Sequence, residues 1–485
     1  MEDKRRLLMD RSQPGRRGTT LPECDVPEAA LPERRYLRDD LPMPEVSEPE
    51  IVRYFTHLSQ LNYGVDTGFY PLGSCTMKYN PKLHEDAASY PGFASIHPLL
   101  DGELSQGALQ LMHELQQMLA EIAGLHRCSL PPVAGAHGEY AGMQVIRAAL
   151  RAKGQGHRKT VIIPDSAHGT NPATAAMCGF QVVSVPADGD GNMNLGRLQE
   201  ALATGDVVAL MITLPSTLGL FDRNIVEICR MVHMAGGYVY GDGANFNALL
   251  GRVKMGQLGF DVVHMNLHKT FTTPHGGGGP GSGAISVSRE LAPFCATPVV
   301  TLRNGRYQLE TPDKSFGRIS TFHGNFGNLV RAYCYIRMLG AAGLREVSGN
   351  AVLHANYVQA KLKATYGLAY DRRCMHEVVF SPTHLKRHGV RALDVAKRLI
   401  DYGYHPPTMY FPLVVEEALM VEPTETETKE TLDAFIEAME QIAKEAAATP
   451  ALLHEAPHHA PVGRLDEARA ARQPDLRWRG GRKPA

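Results

Sequence analysis

The spacing of apolar and polar residues changes character along the chain. Residues 1 to about 100 show little periodicity, because Pro14, Pro22, Pro27, Pro32, Pro42, Pro44 and Pro49 interrupt any long element. Ile51 to Leu61 is the exception, with apolar residues at helical intervals. The pattern predicts an irregular arm that lies across another part of the molecule or across a partner subunit. From residue 104 the register tightens. Leu104, Ala108, Leu111, Met112, Leu115, Met118, Leu119 and Ile122 recur at helical spacing, and Gly124 follows as a stop. Short apolar runs then alternate with helical stretches. Thr160–Ile163, Gln181–Val185, Val207–Leu214, Tyr238–Tyr240 and Asp261–Met265 read as buried strands, and Met143–Ala152, Leu195–Ala203 and Asn224–Ala235 as helices between them. Strands without polar interleaving, alternating with helices, predict a mostly parallel sheet covered on both faces. Ligands of such sheets sit at the carboxyl ends of the strands.

Beyond about residue 345 the alternation loosens. A helix is followed by a strand in CMHEVVFSP, a helix in RALDVAKRLIDYGY, a strand in ALMVEP and a helix from Lys429 to Ala446. The expected organisation is an arm over 1–100, a large domain over 101–344, a smaller α+β domain over 345–446 and a loosely held tail over 447–485.

Composition narrows the function. With 50 Lys+Arg against 51 Asp+Glu the formal charge is -1, which argues against nucleic-acid binding as the main task. Eight dispersed cysteines without a C-x-x-C pair argue against a structural zinc site or a disulfide framework, and point to a reducing cytosol. The start of the chain has no apolar core of a secretory signal, and no run of about 18 apolar residues predicts a membrane span. His84-Glu85, His113-Glu114 and His376-Glu377 each begin like H-E-x-x-H but lack the second His, so no metal site is expected.

The residues that could do chemistry follow the strands. Lys269 stands just beyond the run ending at Met265, within HMNLHKTFTTPHGGGG. A lysine amine relieved of its proton is a nucleophile toward carbonyls. The Gly276–Gly279 run would let the backbone pass close to a ligand, but glycines placed after the lysine do not make a nucleotide P-loop. Asp242 follows an earlier strand, about 27 residues before Lys269, which is the length of one strand–helix–strand unit. Pyridoxal phosphate needs such a pair: a lysine for its aldehyde and an acid for its ring nitrogen. His168, in a loop of helix-breaking residues, offers a ring to stack on the cofactor. A small-residue segment before a helix beginning near Gly138 offers free N–H groups to a phosphate. Ser74, Cys75, Thr76 and Lys78 supply donors on a tight segment, and Cys75 could itself be a nucleophile.

Long segments of the chain resemble the pyridoxal-phosphate-dependent glycine dehydrogenase (decarboxylating) family, the P-protein of the glycine cleavage system, in its two-subunit form. They include LPMPEVSEPEIVRYFTHLSQLNYGVDTGFYPLGSCTMKYNPK, GAHGEYAGMQVIRA, PDSAHGTNPATA, YGDGANFNALLG, NLHKTFTTPHGGGGPG and MVEPTETETKETLDAFI. The match is to the C-terminal-half subunit. The resemblance implies an α/β fold of the pyridoxal-phosphate-dependent transferase type I, with a mainly parallel seven-stranded sheet and a small C-terminal domain. It implies Lys269 as the Schiff-base lysine, Asp242 as the pyridinium partner and His168 as the stacking ring. Ala136 and His137 fall in the phosphate-binding turn, and Asn266 and His268 flank the lysine as further cofactor contacts. Ser74 to Lys78 would help to close the substrate site. Where an Asn-Pro is expected near the cofactor's phenolic oxygen, the chain has Leu214-Pro215-Ser216-Thr217, so that contact would fall to Ser216 or Thr217, or be absent. The implied reaction decarboxylates glycine and transfers the aminomethyl group to the lipoyl group of H-protein. The implied partner is a subunit 1, in an α2β2 assembly embraced by the Pro-rich arm. Two other readings stay open on the residues alone: another type I decarboxylase or aminotransferase, since fold does not fix reaction, and a non-catalytic subunit.

Overall fold

The computed structural model describes residues 7–39, 41, 43–275 and 281–476. They form two units, Met1–Thr67 and Gly68–Ala485. In the first, the one α-helix among the described residues is Glu48–Gln60, with no buried residue. Ser47 caps it: its N–H and hydroxyl donate to Glu50 at 2.8 and 2.9 Å. The Glu50 acceptor fits the capping-box pattern of a Ser followed three residues later by Glu.

The second unit is built on a seven-stranded sheet of β1 (Arg127–Ser129), β2 (Thr160–Pro164), β3 (Gln181–Val185), β4 (Val207–Thr213), β5 (Tyr238–Gly243), β6 (Val262–Asn266) and β7 (Gly283–Val287). The strand order is β1-β7-β6-β5-β4-β2-β3. β3, β2, β4, β5 and β6 run parallel, and β7 runs antiparallel to both its neighbours. All seven residues of β4 are buried. Alternate side chains enter opposite cores: Ile162, Leu210 and Val239 join the helix Gln106–Ala123, while Val161, Met211 and Tyr240 join the helix Gly135–Ala152. This two-sided burial explains why the strands read as continuous apolar runs.

Gly124 ends the helix Gln106–Ala123 in the left-handed conformation (φ 70°), as a C-terminal glycine allows. Three features differ from the sequence expectation. The segment after β2 is not wholly a loop, because a helix begins at Thr170 and runs to Met177. Its Pro172 lies in the first turn, where a missing N–H breaks no hydrogen bond. The helix after β1 starts at Gly135 rather than near Gly138. The three-residue β1, the strand β7 and the hairpin of β8 (Val299–Arg303) and β9 (Arg306–Glu310) are additional to the expected strands.

The helix Phe326–Tyr366 leads out of the sheet region and kinks at Gly340. Beyond it lies a three-stranded antiparallel sheet of β10 (Val378–Phe380), β11 (Thr408–Met409) and β12 (Leu419–Val421), in the order β10-β12-β11. The helices Ala392–Asp401 and Lys429–Ala448 pack on it. The start of the C-terminal segment is also packed. Pro450–His454 is helical, Leu453 is fully buried, and the Arg464 guanidinium donates to Asp394 at 2.6 Å. No helix among the described residues is long and apolar enough to cross a membrane.

Candidate active site

The carboxyl ends of β5 and β6 bring the central residues together. Asp242 pairs in register with His264 across these strands and is almost wholly buried. Asn171, from the start of the helix after β2, donates its amide to Asp242 Oδ2 at 3.0 Å, and Ala244 N–H donates to Oδ1 at 2.9 Å. His264 Nε2 lies 3.4 Å from Oδ1, and its Nδ1 lies 2.6 Å from the Tyr240 hydroxyl. Burial alone would raise the Asp242 carboxyl. His264, the Asn171 amide, Ala244 N–H and Lys269 outweigh it and hold the group below the ordinary range. Glu139 lies behind, accepting from the other side of the Asn171 amide at 3.0 Å and from Thr170 and Thr174 at 2.8 and 3.2 Å. Burial and the charge of Asp242 push Glu139 the opposite way, upward. Of these two acids Asp242 is the one kept ionised.

Lys269 follows β6 and is half-buried. Its ammonium donates to the Ser74 carbonyl oxygen at 2.7 Å. Among the described residues no carboxylate lies within ion-pair distance of it. His168 follows β2 with its Nδ1 3.1 Å from the Thr170 hydroxyl and its ring centre 5.1 Å from that of Phe411. Desolvation, with the charge of Lys269 added, lowers its pKa, so the ring is neutral near pH 7.

The start of the helix Gly135–Ala152 meets the end of β6. A Cβ on Gly135 would sit 2.8 Å from Asn266 Oδ1, so a side chain here would push the Asn266 amide aside. Asn266 Oδ1 is buried without a hydrogen-bond partner. Ala136 lies in the first turn, whose N–H groups have no intrahelical acceptor. The His137 side chain is engaged locally, its Nδ1 accepting Val133 N–H at 3.2 Å. His268 Nδ1 is 3.1 Å from both Ser282 N and Ser282 O, and burial with His275 and Lys269 nearby drops its pKa to about 3. The Thr273 hydroxyl and His275 Nε2 are also buried and unpartnered. The Gly276–Gly279 run lies outside the described residues.

Other expected residues are already engaged. The Thr217 hydroxyl donates to the Ser166 carbonyl, and Ser216 Oγ accepts Leu218 N–H at 3.3 Å. Beside them Asn245 donates its amide to Pro215 O at 3.0 Å. Lys78 is not aimed at Lys269. It is buried and donates to Glu425 at 2.7 Å, Asn247 at 2.8 Å and Tyr335 at 3.0 Å. Burial raises the Cys75 pKa against the opposing charge of Lys269, with Glu422 and Glu377 adding to the rise, so Cys75 is a thiol and not an activated thiolate. All eight cysteines are free.

The chain is 56% identical over 483 residues to "Probable glycine dehydrogenase (decarboxylating) subunit 2" of Halalkalibacterium halodurans, an alignment that spans 99% of each. It belongs to the glycine dehydrogenase (decarboxylating) subunit 2 family. The namesake protein of Caldanaerobacter subterraneus subsp. tengcongensis is 55% identical over 477 residues, covering 97% of this chain and 98% of that one. Residues 347–458 match the family described as Glycine dehydrogenase, C-terminal domain, and residues 136–298 match Aminotransferase class-V. Among solved structures, a glycine decarboxylase (P-protein) of the glycine cleavage system in inhibitor-bound form superposes with a TM-score of 0.72 at 22% identity, over 85% of this chain and 93% of that one. A glutamate decarboxylase of Lactobacillus brevis superposes at 0.64 and 14% identity, over 88% of this chain and 96% of that one. The fold is the pyridoxal-phosphate-dependent transferase type I, as the resemblance implied.

Sequence reasoning missed Glu139, Asn171, Asn245, His264, Glu377 and Glu422. Glu139 carried a signal, as a charged residue on the apolar face of a helix. The others sit inside quoted motifs, where nothing marks which polar residue points inward.

Proposed function

We propose that this chain is the lysine-bearing subunit of a glycine-cleaving enzyme, holding pyridoxal phosphate at Lys269. The reading is that it decarboxylates glycine and passes the aminomethyl group to the lipoyl disulfide of H-protein. One observation carries it: an amine at the end of β6, with no carboxylate among the described residues in ion-pair distance, stands in the field of a buried, ionised Asp242 at the end of β5. The names of the relatives support the choice of glycine.

The residues present fit the cofactor. Asn266 Oδ1 and the Thr273 hydroxyl are buried without partners, and the first turn at Gly135 and Ala136 offers free N–H groups to a phosphate. The bound cofactor supplies an electron sink for the pair released as the bond from Cα to the glycine carboxylate breaks. Lys269 Nζ would be its covalent anchor. Asp242, fixed by Asn171, His264 and Ala244 N–H, would keep a proton on the ring nitrogen. His168 would lie against the ring face. His268, held neutral, would add no charge beside the amine. Ser216 and Thr217, tied to neighbouring backbone, would shape the wall, and Asn245 stands beside them as a polar group. Ser74, Cys75 and Thr76 would border the substrate, while Lys78 would brace that border from behind.

We further propose an α2β2 assembly with a subunit 1 and work in the cytosol. The division into an arm (1–100), a cofactor-binding domain (101–344), a small domain (345–446) and a tail (447–485) is part of the same reading. The test is exchange of labelled bicarbonate into glycine, run with and without subunit 1 and H-protein. Exchange that needs both supports the proposal. Transamination of alanine without H-protein would replace it with an aminotransferase reading.

A further inference from the structure

The turn that holds Lys269 rests on two buried acids. Ser74 and Thr76 both adopt left-handed backbone conformations (φ 65° and 36°), unfavourable for non-glycine residues and most of all for a β-branched one. Ser74 N–H donates to Glu377 Oε2 at 2.8 Å. Thr76 donates its N–H to Glu422 Oε2 at 2.9 Å and its hydroxyl to Glu422 Oε1 at 2.6 Å. Both glutamates are fully buried, one before β10 and one after β12. Ligand-type oxygens of the two lie within 4.8 Å of each other and of a nitrogen of His376. Among the described residues no Lys or Arg is within ion-pair distance of either. His376 is also fully buried, with both ring nitrogens unpartnered, 3.9 Å from Glu377 and 4.0 Å from Glu422.

Two carboxylates this close, with neutral donors and no bonded cation, do not both ionise at low cost. We propose that Glu377 and Glu422 share one proton near neutral pH and act as a positioning pair, setting the Ser74–Thr76 turn and through the Ser74 carbonyl the amine of Lys269. The proposal rests on the reading of Lys269 as the cofactor lysine. The other ionisable groups facing the pair are Lys269, His376, Cys75, Cys374 and Glu425. Of these His376 is held neutral, its pKa lowered to about 3 by burial and Lys269, and the two thiols are raised by burial. Burial, with Glu425 adding to it, raises Glu422 to about 7, and burial with the charge of Glu422 raises Glu377 as well. Loss of the shared proton would place a second negative charge near Lys269, restrain its Nζ by charge attraction and slow its attack on an aldehyde.

Two readouts test this on the purified chain, with Glu422→Gln, Glu377→Gln and wild type compared. The first is the rate at which the visible cofactor band appears when pyridoxal phosphate is added to apoprotein across pH. The second is the melting temperature of the apoprotein across the same range. An acid whose pKa is raised by folding stabilises below its unfolded value, and that contribution is lost as pH rises toward the folded value. Wild type should therefore lose stability as pH rises from about 4.5 to about 7, and its capture rate should inflect near the upper end. Each Gln variant keeps an acceptor for the turn, so both should still capture cofactor with the inflection flattened. Inflections that persist in both variants would overturn the proposal. So would a stoichiometric divalent metal lost in Glu422→Gln. If the variants fail to fold, infrared spectra of wild type with labelled Glu decide: no protonated carboxyl above about pH 6 sinks the pair. If wild type shows no visible band, the Lys269 reading fails, while the melting profile still judges the pair.

Discussion

Two lysines of the second unit, both singled out by the sequence, end in opposite surroundings. Lys78 is buried, and its ammonium reaches the Glu425 carboxylate, the Asn247 side-chain amide oxygen and the Tyr335 hydroxyl. Burial alone would lower its pKa, but Glu425 and Tyr335 outweigh it and raise it. Lys269 is half-buried, and among the described residues its one hydrogen bond is to a neutral backbone oxygen. A lysine with a buried carboxylate partner is locked as a cation. A lysine held by a neutral carbonyl has no such lock. The neighbours, more than the residue type, assign one to structure and the other to chemistry.

Replacing Lys269 is the sharpest way to break that contrast. Lys269→Ala should purify folded, without the visible cofactor band, and lose roughly 1,000-fold or more in glycine–bicarbonate exchange. Lys78→Met, if it folds, should keep the band. Reductive trapping followed by peptide mapping locates the label; a pyridoxyl group on Lys78 would invert the comparison. Next in size is Asp242→Asn, which keeps the shape but removes the charge that faces Lys269. We expect about a 100-fold loss of exchange with the band retained. An unchanged rate would show that the ring nitrogen needs no anion here.

Lys78→Met should act on stability instead. Removing one partner of a buried pair leaves Glu425 uncompensated, at a cost of about 3–5 kcal/mol. Adding Glu425→Gln should recover part of the loss, as a double-mutant cycle would report. The sign with pH is also fixed. A lysine whose pKa is raised by folding stabilises below its unfolded value of 10.5 and loses that contribution above it. The destabilisation should therefore stay level between about pH 6 and pH 9.

Little of this contrast was legible in the sequence. The parallel sheet was, because strands buried on both faces leave unbroken apolar runs such as Val207–Thr213. The positions of Lys269 and Asp242 were, because a residue following such a run must lie at the sheet's carboxyl edge. What holds each one was not. Ser74 lies 195 residues from Lys269, and Glu425 lies 347 from Lys78. Contacts across such separations leave no periodicity. The short β1 and β7 were equally invisible, and they place the helix start at Gly135 against Asn266.

A third lysine separates burial from pairing. Lys429 has its own carboxylate partner, Asp433, one turn along the helix Lys429–Ala448, and its ammonium sits 5.5 Å from the Tyr357 ring centre. By bonds alone it resembles Lys78. Its side chain is 67% exposed, however, against 1% for Lys78. Water solvates Asp433 once the lysine is gone, so no uncompensated charge remains, and salt screens what attraction there was. Lys429→Ala should leave the melting temperature unchanged within error at physiological salt, with any shift confined to low ionic strength. A loss comparable to that of Lys78→Met would mean that pairing alone sets the value of these contacts. The distinction drawn between Lys78 and Lys269 would then need a different physical basis.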